Sequence, residues 1–151
     1  MAKIDIHQAP LRQGSDYPAP FDIPCLDRIR RALGDAAGLT QFGVNLQRLA
    51  PGAWSSQRHW HTREDEFVWV LAGEVVLVTE AGEEILRAGD CAGFKAGMPD
   101  GHHLQNRSGA EAVLLEVGAR RPETDVVEYP DADLRWCGEA TGYTKRDGSA
   151  Y

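Results

Sequence analysis

Four of the five histidines in this chain, His59, His61, His102 and His103, fall in two short windows. In an extended strand, residues i and i+2 share a face and lie about 6.6–7 Å apart. If residues 57–61 are extended, His59 and His61 project together, with Gln57 on the same side and Arg58 and Trp60 on the other. Two imidazoles on one face can converge on a metal ion at roughly 2.0–2.2 Å each. Glu66 follows closely enough to return to the same point around a turn at Thr62–Asp65. It opens a segment in which Val68 and Val70 share its face, and an ionised carboxylate there is costly unless it is paired or bound to a cation. A lone His-x-His is often a surface coincidence, and Glu66 within Glu64-Asp65-Glu66 would ordinarily be solvated. The stretch His102-His103-Leu104-Gln105-Asn106 changes that balance by offering a third ligand from a separate strand. Neighbours in a strand face opposite ways, so one of the two histidines is a ligand and the other a surface or supporting residue.

The elements that must position these groups read as short strands. Phe42–Leu49, Glu66–Leu71, Glu74–Thr79, Glu84–Leu86, Asp90–Phe94, His102–Asn106 and Ala112–Val117 are rich in Val, Leu, Phe and Trp. Turns such as Pro51-Gly52, Ala72-Gly73, Ala81-Gly82, Ala88-Gly89 and Ser108-Gly109 separate them. Regularly spaced short strands with glycine turns predict an all-β sandwich or small barrel over residues 41–119. Residues 1–40 form an N-terminal arm in which Pro10, Pro18, Pro20 and Pro24 forbid a long helix or a central strand. Within it, Leu26–Leu33 could make two turns of helix ended by Gly34. Residues 120–151 are polar, with a Tyr-Pro-Asp turn, and read as a tail packed over the barrel of a single domain. The inward phases 57/59/61, 66/68/70 and 102/104/106 surround the candidate ligands with Val68, Val70 and Leu104, a pocket of small-molecule character. Gln57 is a candidate substrate-facing amide. Asn106 is a candidate pocket donor or a structural turn residue.

Composition narrows the function classes. The chain has 151 residues, 42% of them hydrophobic, which supplies one core. A net charge of −7 without a Lys/Arg cluster argues against nucleic acid or an anionic membrane surface as partner. Arg48, Arg58 and Arg107 could still supply a local anion contact. The longest apolar run, Phe67–Ala72, is far short of the ~20 residues that span a bilayer. An N-terminus without an apolar signal core, and three cysteines without Cys-x-x-Cys spacing, lead us to expect a cytoplasmic protein with reduced thiols. Cys91 is expected to be a buried, inert thiol. Trp54, Trp60 and Trp69 are expected to fill space between barrel, arm and a second subunit. No G-x-S-x-G element or GK[ST] loop is present, so a serine hydrolase and a P-loop are unsupported.

Gly52, His59-Trp60-His61, Glu66 and Gly73 resemble the first motif of the cupin superfamily, G-x5-H-x-H-x3–4-E-x6-G, with one extra residue in the first gap. Gly89, Gly97, His102 and Asn106 resemble the second, G-x5-P-x-G-x2-H-x3-N. Here Lys95 stands for the proline, and Met98-Pro99-Asp100-Gly101 lengthens the Gly-to-His gap. The His-x3-Asn spacing of that motif selects His102 over His103 as the ligand. The whole chain is also similar to a group of small single-domain bacterial cupins in Leu33-Gly34, Gly38-Leu39, Arg58–His61, Glu64–Val68, Gly101–His103 and Tyr129–Leu134.

The resemblance implies a double-stranded β-helix with a metal inside its open end, held by His59, His61, Glu66 and His102. Three His and one Glu leave open positions on Fe(II), Mn(II) or Ni(II), or one on zinc, and affinity order alone does not choose among them. It implies isomerisation of a sugar or sugar phosphate, oxygenation or decarboxylation of a small polar metabolite, with His103 as the candidate base if it swings in. A non-catalytic ligand-binding or sensing module, and a metal-free structural barrel, are the competing readings. Open sheet edges and the Pro-rich arm lead us to expect a homodimer.

Overall fold

Short strands dominate the chain, as the spacing predicts. The structure, a computed structural model, describes residues 3–151. In chain order it has β1 (Leu11–Gln13), β2 (Arg28–Ala32), the one-turn helix α1 (Leu33–Ala36), β3 (Phe42–Leu49), β4 (Trp60–His61), β5 (Glu66–Ala72) and β6 (Glu74–Thr79). There follow β7 (Gly82–Arg87), β8 (Cys91–Phe94), β9 (His103–Gln105), β10 (Ala112–Ala119), β11 (Val127–Tyr129), β12 (Leu134–Trp136) and β13 (Tyr143–Thr144). They form three antiparallel sheets, β1-β2-β3-β10-β5-β8, β7-β6-β9 and β13-β12-β11-β4. Bridges at Trp54↔Gln105 and His59↔His102 tie residues 54–61 to the β9 segment and so join the two smaller sheets. The result is a double-stranded β-helix.

Strand alternation explains why the walls pack. On β5, Val68 and Val70 are buried while Phe67, Trp69 and Leu71 face outward. The inward residues meet Leu49, Ala112 and Leu114 of the same sheet and Val75, Leu77, Leu86 and Leu104 of the opposite wall. Each fully buried Val or Leu contributes about 1.5–3 kcal/mol, so this cluster is what closes the barrel. The β5–β6 turn needs Gly73: its φ is +77°, and a Cβ there would lie 2.7 Å from the Glu111 carbonyl oxygen and 2.9 Å from Ala112 Cα.

Three local expectations are corrected. Leu26–Leu33 is not helical: Arg28–Ala32 is β2, paired with β3 from Arg28↔Leu49 to Ala32↔Asn45. A five-pair ladder on an existing sheet outweighs a helix too short to be stable alone. The residues after 120 are more than a covering tail, because β11 pairs with β4 at Val127↔His61 and Glu128↔Trp60. Val127, Tyr129, Ala132 and Leu134 build a second buried cluster with Tyr17 and Phe21 of the N-terminal arm. Cys91 is exposed, because it opens β8 opposite the outward-facing Trp69, whereas Cys25 is buried. Among the described residues no helix is long and apolar enough to cross a membrane.

Candidate metal centre

Three imidazoles and one carboxylate converge inside the barrel. Glu66 Oε2 lies 2.9 Å from His102 Nε2, 3.4 Å from His61 Nε2 and 3.5 Å from His59 Nε2. The donor atoms of His59, His61 and Glu66 are all within 4.8 Å of one another, and His102 joins them through Glu66. β4 presents His61, the bridge His59↔His102 sets two rings side by side, and Glu66 opens β5 on the facing wall. Phe94, the register partner of Glu66, stacks on the His102 ring with centroids 3.5 Å apart.

The far side of each ring is held as well. His59 Nδ1–H donates to the Gln57 carbonyl at 2.9 Å and His102 Nδ1–H to the Asp100 carbonyl at 3.1 Å. His61 Nδ1–H donates to Asp125 Oδ2 at 2.6 Å. An acceptor at Nδ1 keeps a proton there, so a ring in its neutral form turns an Nε2 lone pair toward Glu66 and in its protonated form donates from Nε2 to it. Three lone pairs facing a carboxylate oxygen repel one another unless a cation lies among them, and N3O is a donor set that suits divalent transition ions. Burial would push the Glu66 carboxyl up, but hydrogen bonding with His102 and His59 and the nearby His61 hold it well below the usual carboxylate range. Burial likewise disfavours a charged His61, yet Asp125 and the acidic groups around it raise its pKa. The residues present fit a bound cation.

The site opens into a cavity of about 410 Å³, of a size for a small metabolite. Val68 and Leu104 line it, whereas Val70, expected on the same wall, is fully buried in the core cluster. Gln57 does not line it; its amide donates to the Phe21 carbonyl at 2.7 Å. Asn106 is fully buried and donates to the carbonyls of Leu49 and Ala110, both at 2.8 Å, while Ser108 donates to its Oδ1. That is a turn-locking role. His103 borders the cavity but both its ring nitrogens are engaged, Nδ1 with the Ser56 carbonyl at 3.0 Å and Nε2 with the Gln105 amide at 2.9 Å. Trp54 packs edge-on against its ring, so His103 is held in place by contacts that a swing toward the metal centre would have to break. Arg48, Arg58 and Arg107 are each ion-paired, with Glu111, with Asp131 and Glu80, and with Glu83, and none borders this cavity.

Sequence reasoning missed several groups. Asp125 sits in a polar segment with no spacing signal, and only the β11–β4 pairing brings it to His61. Glu116 was detectable, since it continues the inward phase Ala112/Leu114 of β10, next to Asn45 and Val68 in register. Burial holds its carboxyl above the ordinary value. Arg12, Arg28 and Arg30 border the cavity because β1 and β2 extend its sheet.

The family model described as the Cupin domain matches residues 45–118. A structure from Silicibacter pomeroyi, described as a sugar phosphate isomerase of the cupin superfamily, superposes on 99% of this chain and 96% of its own at TM-score 0.93, with 46% identity. The chain is a cupin. A second structure, from Acidithiobacillus ferrooxidans and provisionally described as a sugar phosphate isomerase, is 32% identical over 78% of this chain and 74% of its own, with TM-score 0.71. A polyketide cyclase from Streptomyces resistomycificus, 17% identical over 86% of this cupin and 85% of its own chain at TM-score 0.64, shares the fold alone. No curated protein matches the sequence. The Arg58–His61, Gly101–His103 and Tyr129–Leu134 stretches of this cupin form one lock beside the site. Arg58 holds Asp131 through two hydrogen bonds of 2.6 and 2.7 Å, and Pro130 lies where a Cβ on Gly101 would be.

Proposed function

We propose that this cupin is a metal-dependent isomerase of a small phosphorylated sugar, with His59, His61, Glu66 and His102 as ligands of one divalent ion, Fe, Mn, Ni or Zn. The observation that carries the reading is the convergence of three Nε2 atoms, each with its Nδ1 anchored, on Glu66 Oε2. Identity of 46% over nearly the whole length of the Silicibacter pomeroyi structure supports the reaction class. When bound, the ion would act as a Lewis acid on a substrate oxygen. The chain supplies the rest: His103 and Gln57 are spent on structural contacts, and Glu116, in the next inward register row to Glu66, is the buried carboxyl left to carry a proton.

A second copy of the chain would cover the outer sheet face. Phe67, Trp69 and Leu71 are 41%, 45% and 45% exposed in one stripe, flanked in register by Val117 and Leu115. A cytoplasmic homodimer with a small-molecule substrate completes the reading.

Metal content by plasma mass spectrometry, on protein purified without chelator, tests the centre. Near one equivalent is expected, falling several-fold in His59→Ala and His61→Ala and kept in His103→Ala. A metal-free wild type after anaerobic reconstitution would leave a ligand-binding barrel instead.

A further inference from the structure

The chain carries a net charge of −7, yet four arginines, Arg12, Arg28, Arg30 and Arg120, border the cavity that holds the metal centre. Three are committed. Arg12 pairs with Asp16, Arg120 pairs with Asp35, and Arg28 donates to the carbonyls of Gly14 and Ser55. The Arg30 side chain, among the described residues, has neither an ion pair nor a hydrogen bond, and it borders the cavity from the middle of β2. Arg12 is its register partner on β1, so the two project from one face side by side. Burial, together with the like charges of Arg30 and Arg28, pulls the Arg12 guanidinium down from its ordinary value. Gathering like charges in one wall costs stability, and an uncommitted guanidinium there is matched in shape and charge to an oxyanion. Gln47, the register partner of Arg30 on β3, adds a fully buried amide on the same inward face with neither polar atom partnered.

We propose that this wall is an oxyanion subsite in which Arg30, with Arg12 beside it, holds the phosphate group of the substrate while the opposite end of that molecule reaches the metal centre. The proposal deepens the isomerase reading and rests on it. The uncommitted Arg30 guanidinium, with the Arg12 and Arg28 groups close by, matches the paired oxygens of a phosphate monoester. Glu116 is the opposing charge: it lies on the same sheet face and attracts Arg30 from beyond ion-pair distance. The metal end and the arginine end of the cavity would then fix the substrate at both termini, with the proton-carrying carboxyl between them.

The test is calorimetric titration of inorganic phosphate, and of acetate for comparison, into the metal-loaded protein at pH 8. Wild type is expected to prefer phosphate. Arg30→Gln is expected to weaken phosphate at least tenfold with metal content unchanged, and Arg30→Lys, which keeps the charge but not the planar fork, to weaken it less than Arg30→Gln does. Glu116→Gln is expected to tighten phosphate several-fold, a gain that a disturbed fold would not produce. Phosphate affinity unchanged in Arg30→Gln would mean that the anion sits on the metal or elsewhere, and would overturn the subsite. So would a wild type that prefers acetate or binds neither anion. Loss of metal from the wild type would overturn the isomerase reading instead, and the mass-spectrometric metal count separates the two failures.

Discussion

Asp125 Oδ2 lies 2.6 Å from His61 Nδ1, so a residue of the C-terminal sheet fixes the orientation of a ring in the barrel. Its other oxygen accepts from the Arg63 amide at 2.7 Å and from the Thr62 hydroxyl at 3.3 Å. Asp125→Asn can keep those two bonds through its carbonyl oxygen while replacing the acceptor at His61 by an NH2 group. The ring then loses the proton position that exposes Nε2. Metal affinity is expected to fall about 10–100-fold, with the melting curve of the metal-free protein little changed. Competition against a chromophoric chelator measures it, and unchanged affinity would show that His61 needs no such support.

His103 makes stability pH-dependent in a defined window. Burial, with Arg58 and His59 nearby, lowers its pKa to about 4, although its bond to the Ser56 carbonyl works the other way. A folded pKa below the unfolded value of about 6.5 means that its contribution is fully present above pH 6.5 and is lost as pH falls toward 4. The full span is on the order of 3 kcal/mol. Urea denaturation at pH 7 and pH 4.5 should show His103→Gln losing less stability on acidification than wild type. Equal losses would remove His103 from the account.

The barrel was legible in the sequence because alternation and glycine turns are local signals: Phe42–Leu49 and Glu74–Thr79 match their strands residue for residue. Strand phase put His59 and His61 on one face, while Glu66 and His102 were legible only through the motif spacing that the chain shares with cupins. Asp125, Arg12 and Arg30 were not, because Asp125 reaches His61, and the two arginines the cavity, only through long-range pairings that leave no periodic trace. Arg28–Ala32 shows the cost of reading five residues by local propensity when the neighbouring edge of β3 decides their conformation. Gln57 and His103 had the phase or position expected of site residues, and only side-chain packing revealed that their polar atoms were already engaged.

Gly73 is the turn residue that should tolerate substitution least. A side chain would have to adopt φ near +77° and approach the Glu111 carbonyl oxygen at 2.7 Å. The left-handed conformation alone costs roughly 1–2 kcal/mol, and relieving the contact moves the β10 backbone that carries Glu116. Gly73→Ala is therefore expected to lose at least about 2 kcal/mol in denaturant titrations. Gly109→Ala, where a Cβ would meet nothing within 4 Å, is the matched control and should be close to neutral.

The outer face of the six-stranded sheet links oligomeric state to thiol reactivity. Cys91 is the register partner of Trp69, so it lies within the Phe67-Trp69-Leu71 stripe that a second copy would cover. Cys25 is buried inside the protomer, where burial pushes its thiol up to about 11. Wild type is expected to scatter light as a dimer of 16.6 kDa chains, with Cys91 alkylated slowly by iodoacetamide at pH 8. Trp69→Glu places a charge in the centre of the apolar stripe, and its desolvation on association opposes the contact. That variant should run as a monomer and alkylate at Cys91 at least tenfold faster, while Cys25 stays unmodified in both proteins because its shielding comes from its own chain. Fast labelling of Cys91 in a monomeric wild type would mean that this face has no second copy to cover it.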